Sequence, residues 1–529
     1  MALRGHEAHP PATNGRSLFL IKVTVPVGME MRVFGFSLAI MQTRTHQRKD
    51  QHRVDDQPAG KNAVNKSRRT NMKKQLGIWK LGLGLLFVVT TVGAFAETSP
   101  YAERRASLMK SIKQGPVILF GETDTHPGKR FRQDNDFFYL SGINDPCAVM
   151  VISAENDRTV LFLPRQSERE RMIDGENMLL DPDAPGRLGV GAIYSASYLD
   201  EYLARILRRS GSRLWVRLSP ADPQDGSRWE TGIFTARAGR CAYNDVPTLD
   251  QQRVKRLRER YPFAELGDIS PVLDRMRMIK DAHEIEILRR NGRISAEAVV
   301  AAIKATRPGA MEYELEAAAV GHILKNGADG PAYAPIVGSG PNSCVWHYNR
   351  NQRKMQAGEV VLMDFGADLE HYAMDITRTW PVSGKFTPEQ RKLYATVLAI
   401  QKASIEAYRP GVTLADVKRH VAHRMREWKI PDRGLEGVIH HYVGLSTHDV
   451  GQEGLPLEAG MVFTAEPGLY DSKTGIGIRI EDTVLITPDG CEVLSRFVPK
   501  EIDEIEALMA KKKVEEGRSK KGDRLQEDR

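Results

Sequence analysis

The chain has 529 residues, which exceeds what one compact core supports and predicts about two to three domains. Its hydrophobic fraction of 41% and charged fraction of 27% are ordinary for globular proteins and argue against wholesale disorder and a polytopic membrane protein. The four isolated cysteines exclude a disulfide scaffold and a zinc module of paired CxxC motifs. They are Cys147, Cys241, Cys344 and Cys491.

The net charge of +8 would fit a nucleic-acid-binding protein, but the excess lies near the N-terminus. Residues 1–71 contain 12 Lys or Arg and 5 Asp or Glu, and Lys73, Lys74 and Lys80 follow. The chain after Ala96 therefore carries a net charge of −2. This larger part offers no basic surface for phosphate backbones.

A secretory signal peptide is predicted over residues 72–96. Its apolar run, 81–92, is shorter than the ~20 residues that span a bilayer, and 94–96 form a small-residue cleavage site. Residues 1–71 are polar and basic, so we expect a non-native or disordered leader with Met72 as the true initiator. If Met1 is the initiator, residues 76–96 act as a membrane anchor. Either way, residues 97–529 are predicted to be secreted or periplasmic, where the cysteines are able to pair.

Residues 97–255 are predicted to form an α/β domain, because apolar strand-like runs alternate with helical patterns. The predicted strands are 116–120, 148–152, 159–163 and 212–216, and a helical pattern covers 197–209. A charged stretch at 251–260 leads into a second domain, predicted over 256–500.

The second domain is predicted to begin with a long helix that Asp281 caps, because apolar and small residues recur at helical spacing after it. Further helices are predicted at 311–325, 388–408 and 414–428, and strand hairpins at 359–381 and 461–487. Residues 501–529 mix both signs of charge and are predicted to be a disordered tail.

Each predicted hairpin carries two acidic residues within apolar strands. A reversal near 369–370 would place Asp364 directly opposite Asp375, and a reversal near 473–474 would place Glu466 opposite Glu481. Directly opposed Cβ atoms lie about 4.5–5.5 Å apart, where like charges repel. Buried carboxylates this close need a proton, a basic partner or a cation. For the first pair the alternative is one turn Asp and one exposed Asp.

A histidine-rich segment lies between the two hairpins. His440, His441 and His448 are able to supply a nitrogen ligand, although a single histidine is more commonly a core or surface residue. Four carboxylates and one imidazole suit two divalent cations such as Mn²⁺, which would share a water and polarise a carbonyl. The chain has no HExxH helix and no GxSxG elbow, so thermolysin-like and serine-hydrolase chemistry lack support.

These motifs resemble the Xaa-Pro aminopeptidase (aminopeptidase P) family, with prolidase as a close relative. Residues 131–142, 336–342 and 345–348 precede the acidic hairpins and the histidine segment in the family's order and spacing. The resemblance implies an α/β (α+β) fold, with an N-terminal creatinase/prolidase-like domain before a pita-bread catalytic domain. It also implies a dinuclear-metal-dependent aminopeptidase that cleaves before proline by attack of a metal-bridging water.

The resemblance assigns five metal ligands: Asp364, Asp375, His441, Glu466 and Glu481. By the family pattern, Asp375 and Glu481 bridge two ions, Asp364 completes one site, and His441 with Glu466 completes the other. Glu466 also carries a proton from the water to the leaving proline nitrogen.

The resemblance gives three further residues roles outside the metal shell. His347 and His448 would hold substrate and stabilise the oxyanion, and Arg479 would orient the carboxylates. The chain departs from the family at Gly437, where an additional histidine is usual. The shape of the adjacent substrate pocket therefore stays open, with His440 as an alternative for the missing side chain.

Peptides with proline at the second position are the expected substrates, and a homo-oligomer is expected by resemblance. The nearest alternative is a prolidase, restricted to Xaa-Pro dipeptides. The alternative from another class is a non-catalytic pita-bread binding module, which is disfavoured because all five ligand positions are filled.

Overall fold

The computed structural model describes residues 99–112, 114–123, 129–209, 211–244, 246–430, 435–436 and 440–510. The leader at 1–71, the predicted signal peptide at 72–96 and Gly437 lie outside these residues. Every helix that the structure describes is too short or too polar to span a lipid bilayer.

The N-terminal part is built on a six-stranded mixed sheet with the order β4-β3-β2-β1-β5-β6. Its strands are β1 Val117–Phe120, β2 Val149–Ser153, β3 Arg158–Leu163, β4 Ala192–Ser195, β5 Arg213–Val216 and β6 Glu265–Asp268. The antiparallel pairs are β1/β2 and β2/β3, and the other neighbours are parallel. All four strands expected from their apolar runs are present, because these runs supply the buried centre of the sheet.

Helices surround this sheet, and several begin at side-chain caps that satisfy free backbone N–H groups. They are α1 Pro100–Ser111, α2 Asn135–Ser141, α3 Glu168–Asp174, α4 Ala184–Leu188, α5 Leu199–Leu207, α6 Arg228–Ala238, α7 Leu249–Arg260 and α8 Ser270–Met278. The predicted domain limit at 255/256 falls inside α7 and before β6. That limit was wrong, because the charged stretch is a helix that returns the chain to the edge of the same sheet.

The second domain begins with the helix that Asp281 was predicted to cap. Asp281 accepts a hydrogen bond from the backbone N–H of Glu284, and the Glu284 side chain accepts one from the N–H of Asp281. The helices are α9 Ala282–Ala305, α10 Glu312–Lys325, α11 Pro388–Ala407 and α12 Leu414–Glu427. Their apolar faces pack against strands that carry the acidic residues.

Four three-stranded sheets lie in the described part of this domain, with the orders β11-β10-β7, β12-β9-β8, β13-β15-β16 and β14-β17-β18. The earlier strands are β7 Gly330–Pro331, β8 Ile336–Ser339, β9 Val360–Asp364, β10 Ala367–Leu369, β11 Tyr372–Ala373 and β12 Thr377–Pro381. The later strands are β13 Leu435–Glu436, β14 Val462–Ala465, β15 Gly468–Asp471, β16 Ile476–Arg479, β17 Asp482–Thr487 and β18 Gly490–Val493. These are the helices and β-hairpins expected of the mixed α/β fold.

The first residues of the predicted disordered tail are structured. Residues 502–510 are helical, and Ile505 and Met509 are buried in the hydrophobic core. The prediction was therefore wrong for residues 502–510, because the local charge pattern hides two apolar anchors. Residues 511–529 lie outside the described part of the chain.

Candidate active site

The first hairpin brings Asp364 and Asp375 to one site by a register that differs from the predicted one. Strand β9 pairs with β12 so that Asp364 faces Thr377, and the chain reverses at Glu370 and His371, which have positive φ angles of 52° and 70°. The predicted direct opposition of the two aspartates was wrong by two residues. Because strand side chains alternate with a period of two, an offset of two keeps them on a common face.

The second hairpin matches its prediction. Strands β14 and β17, and then β15 and β16, share one continuous antiparallel register, which places Glu466 opposite Glu481. The chain reverses between Asp471 and Ile476. The backbone N–H of Glu481 donates to the carbonyl of Thr377 (3.0 Å), which joins this hairpin to the first.

His441 connects the two acidic hairpins. Its Nδ1 donates a hydrogen bond to the backbone carbonyl of Tyr442 (3.0 Å), so Nε2 faces the acids. That atom lies 3.4 Å from Asp375 Oδ2 and 3.3 Å from Glu466 Oε1. One ligand atom from each of Asp375, His441 and Glu481 lies within 4.8 Å of the other two.

The Glu481 carboxyl group makes fewer hydrogen bonds than its two oxygens are able to accept. Its Oε2 accepts a hydrogen bond from Thr377 Oγ1 (2.7 Å), but Oε1 is buried without a hydrogen-bond partner in the described part of the chain. Burial, reinforced by the charges of Asp375 and Glu466, raises the pKa of Glu481 well above its usual value. A carboxyl group in this position needs either a proton or a cation.

Asp364 is held by two neighbours. The Tyr333 hydroxyl lies within hydrogen-bond distance of both Asp364 and Asp375 (2.6 Å from the latter), and its single proton is shared between them. The Arg479 guanidinium pairs with the second oxygen of Asp364. Arg479 also donates to Thr377 Oγ1 (3.0 Å). Burial raises the pKa of Asp364 to about 7 even though Arg479 opposes the shift.

Within the cluster, the pKa values of His441 and Asp375 shift in opposite directions. Burial opposes ionisation of His441, yet its hydrogen bond to Asp375 and the charge of Glu466 raise its pKa to about 9. The same hydrogen bond lowers the pKa of Asp375 despite burial. The neighbouring acids thus favour a proton on His441.

All eight predicted site residues line one cleft of about 890 Å³: Asp364, Asp375, His441, Glu466, Glu481, His347, His448 and Arg479. The His448 ring centroid lies 4.1 Å from that of His441. Burial, with the nearby charge of Arg479, lowers the pKa of His347. His440 also lines the cleft, and its buried Nδ1 has no hydrogen-bond partner among the described atoms.

The residues present fit a divalent cation site. Three kinds of group converge there: the Glu481 oxygen that lacks a hydrogen-bond partner among the described atoms, the His441 imidazole with its other nitrogen already hydrogen-bonded, and further carboxylates. Oxygen donors with one nitrogen suit hard-to-borderline divalent ions. The ligand atoms of Asp375, His441 and Glu481 lie within 4.8 Å of one another, whereas one oxygen of Asp364 is paired with Arg479.

Four contributing residues were not predicted. They are Tyr333, Thr377, Thr464 and Glu230. Thr377 and Thr464 were detectable, because each lies two residues from a site acid, Asp375 and Glu466 respectively, and so shares its face. Tyr333 and Glu230 come from distant segments of the sequence, and no local pattern points to them.

Comparisons with known proteins agree with this arrangement. Residues 286–488 match the model of metallopeptidase family M24, and residues 101–215 match the aminopeptidase P N-terminal domain. The chain is 33% identical over 452 residues to the Xaa-Pro aminopeptidase of Escherichia coli (strain K12), covering 77% of this chain and 97% of that relative. It is 32% identical over 449 residues to the Xaa-Pro aminopeptidase of Haemophilus influenzae, covering 77% and 96%.

A solved structure leads to the same family. Aminopeptidase P from E. coli with the inhibitor Pro-Leu matches with a TM-score of 0.66 and 32% identity, covering 78% of this chain and 98% of that one. Sequence and fold therefore agree over nearly the full length of these relatives. The chain belongs to metallopeptidase family M24 and, within it, to the Xaa-Pro aminopeptidase family that its motifs predicted.

Proposed function

We propose that this enzyme hydrolyses the bond between an N-terminal residue and a following proline with two divalent cations, most simply Mn²⁺. The metal part of the proposal rests on the buried Oε1 of Glu481, which lies beside Asp375 and His441 and has no hydrogen-bond partner among the residues that the structure describes. The proline specificity is proposed because both relatives are named Xaa-Pro aminopeptidase.

Five residues would hold the cations: Asp364, Asp375, His441, Glu466 and Glu481. By the family pattern, all five side chains would contribute ligand atoms to the pair. When bound, such a pair activates a water as the nucleophile and withdraws electron density from the scissile carbonyl.

The chain's own side chains would move the proton and hold the substrate. Glu466, which Thr464 Oγ1 orients by a hydrogen bond (3.1 Å), would accept a proton from the attacking water and deliver it to the proline nitrogen as the C–N bond breaks. His347 and His448 would bind the substrate carbonyl and stabilise the oxyanion that develops on it. Arg479 would keep Asp364 oriented.

Substrate class is tested with a matched peptide panel. We expect hydrolysis of longer peptides that begin Xaa-Pro, with release of the free first residue, and little hydrolysis of the same peptides with alanine second. Activity confined to Xaa-Pro dipeptides would identify a prolidase and overturn the aminopeptidase proposal. Cleavage of both panels alike would remove the proline specificity.

Metal dependence is tested by chelation and by Asp375→Asn. The chelated protein should lose turnover and regain it with Mn²⁺, and elemental analysis should count two ions per chain. Asp375→Asn should abolish turnover while the metal-free protein still folds, which a cooperative thermal unfolding transition would show. Undiminished turnover in the variant would refute the mechanism, and a parent that shows no turnover even after loading with Mn²⁺ would favour a binding module.

Cellular location and assembly remain part of the proposal. The pattern at 72–96 supports export to a secreted or periplasmic location, and N-terminal sequencing of the purified protein should find a start after residue 96. Retention of 76–96 would indicate a membrane anchor instead. We expect a homo-oligomer, which light scattering of the full chain would measure.

A further inference from the structure

A segment of the N-terminal domain reaches the catalytic cleft. Trp229 and Glu230, at the start of α6, line the cleft together with His448 and the acidic cluster. Glu230 Oε1 accepts a hydrogen bond from His448 Nδ1 at 2.7 Å. The two residues belong to different domains, so the cleft is complete only when both domains are in place.

The carboxylate of Glu230 is itself held in place. Its Oε2 accepts hydrogen bonds from the backbone N–H (2.8 Å) and the hydroxyl (3.0 Å) of Ser227, which close the N-terminal cap of α6. One oxygen is therefore anchored to the helix, and the other is aimed at His448. Because an ionised carboxylate only accepts hydrogen bonds, His448 must carry a proton on Nδ1, and Nε2 is the nitrogen left for other partners.

Buried ion pairs fix the segment before Glu230 to the loop that carries His448. Arg277 Nη2 pairs with Asp222 (2.6 Å) and with Asp449 (2.6 Å), the neighbour of His448. All three side chains are about 1% exposed. Nearby, Ser446 Oγ donates to the carbonyl of Pro223 (2.7 Å). The distance between Glu230 and His448 is thus set by contacts on both sides of the pair.

We infer that Glu230 is a positioning residue that fixes the tautomer and ring orientation of His448, so that Nε2 is presented to the substrate. The inference rests on the role proposed for His448 above. A carboxylate behind an imidazole also favours the charge that the ring gains when it donates to a developing oxyanion. The N-terminal domain thereby contributes a positioning side chain to the catalytic cleft.

Kinetics of Glu230 variants test this role. Glu230→Ala should lower kcat about 10- to 100-fold with a smaller change in KM, by analogy with the loss seen when the hydrogen-bond partner of a metal-ligating histidine is removed. Glu230→Gln, which keeps an acceptor oxygen at the same place, should recover part of that loss. Equal kcat for the parent and Glu230→Ala would overturn the inference.

A matched control separates positioning from helix capping. Glu170 closes an equivalent cap with Ser167 at the start of α3, away from the cleft-lining residues. Glu170→Ala should lose comparable stability and keep its kcat. In the His448→Ala background, Glu230→Ala should cause no further loss of kcat, because its effect acts through the missing ring. Multiplicative losses in the double variant would contradict the inference.

A spectroscopic measurement is independent of turnover. In the metal-free protein at pH 8, ¹⁵N NMR of His448 should show the proton on Nδ1, and Glu230→Ala should shift the ring toward the Nε2-protonated tautomer. An Nε2 proton in the parent would overturn the inference. If the parent shows Nδ1–H but hydrolyses no Xaa-Pro peptide, the proposed function fails and the positioning of His448 stands.

Discussion

Thr377 donates its hydroxyl hydrogen bond to one oxygen of Glu481 (2.7 Å), while the other oxygen of that carboxyl group is buried with no partner in the described part of the chain. The two residues come from different hairpins, and the backbone N–H of Glu481 also donates to the Thr377 carbonyl. Thr377 therefore orients the Glu481 carboxyl group through one oxygen. The second oxygen is left for a partner that the described residues do not supply.

Glu481→Gln should separate stability from metal binding. Because the pKa of Glu481 is raised well above its usual value, the metal-free protein holds this group protonated, and a neutral amide resembles it. The free energy of unfolding in chelator should change by less than about 1 kcal/mol. Calorimetric titration with Mn²⁺ should show loss of tight binding, and turnover should fall at least about 100-fold. Tight binding of two ions by the variant would contradict the assignment.

Arg479→Lys should weaken metal binding although it keeps the charge. The guanidinium contacts Asp364, Thr377 and Tyr470 at once, and one ammonium group is unable to reproduce this planar set of donors. We expect a 10- to 100-fold loss of metal affinity by analogy with other residues that orient ligands. Tyr470→Phe removes only one of these contacts and should have a smaller effect in the same titration. Equal affinities for Arg479→Lys and the parent would exclude the orienting role.

Arg277→Ala should strongly destabilise the protein. It leaves Asp136, Asp222 and Asp449 each without one buried partner, and breaking buried ion pairs costs about 3–5 kcal/mol. Arg275 offers a matched control on the same helix, because its pair with Glu458 is nearly half exposed and contributes at most about 1 kcal/mol. Urea denaturation of both variants measures the difference. Similar losses would mean that the buried network contributes no more than a surface pair.

Glu284→Gln should change how stability depends on pH. Burial raises the pKa of Glu284 from 4.5 to about 7, although Arg104 opposes the shift. The folded protein therefore binds a proton that the unfolded chain has released between these values, and the free energy of unfolding falls as pH rises from 4.5 to about 7. Relative to the parent, the variant should gain on the order of 1–3 kcal/mol at pH 8 compared with pH 4.5.

Urea denaturation of the metal-free protein at pH 4.5, 6 and 8 checks this. Glu286→Gln, an exposed position on the same helix, should leave the pH dependence unchanged. A parent and a Glu284→Gln variant with parallel pH profiles would show that Glu284 titrates normally in the folded protein.

The spacing of apolar residues along the chain predicted many of the helices and strands that surround the cleft. Asp281 caps its helix as expected, because an N-cap acceptor followed by a Glu three residues later satisfies backbone groups locally. Glu466 and Glu481 face one another because a single hairpin register is a local property of nearby strands. Such features depend on neighbours in the chain, which is why they are readable without a structure.

By itself, the sequence determined the family, the fold class and the identity of the acidic residues, because residue types at short spacings carry that information. Only the tertiary structure decided the register at Asp364, the contact of Tyr333 with two carboxylates and the contact of Glu230 with His448. These depend on segments far apart in the chain, whose packing no local pattern specifies. The same reason explains why β6 joins the N-terminal sheet and why Ile505 is buried in a stretch that looked like a charged tail.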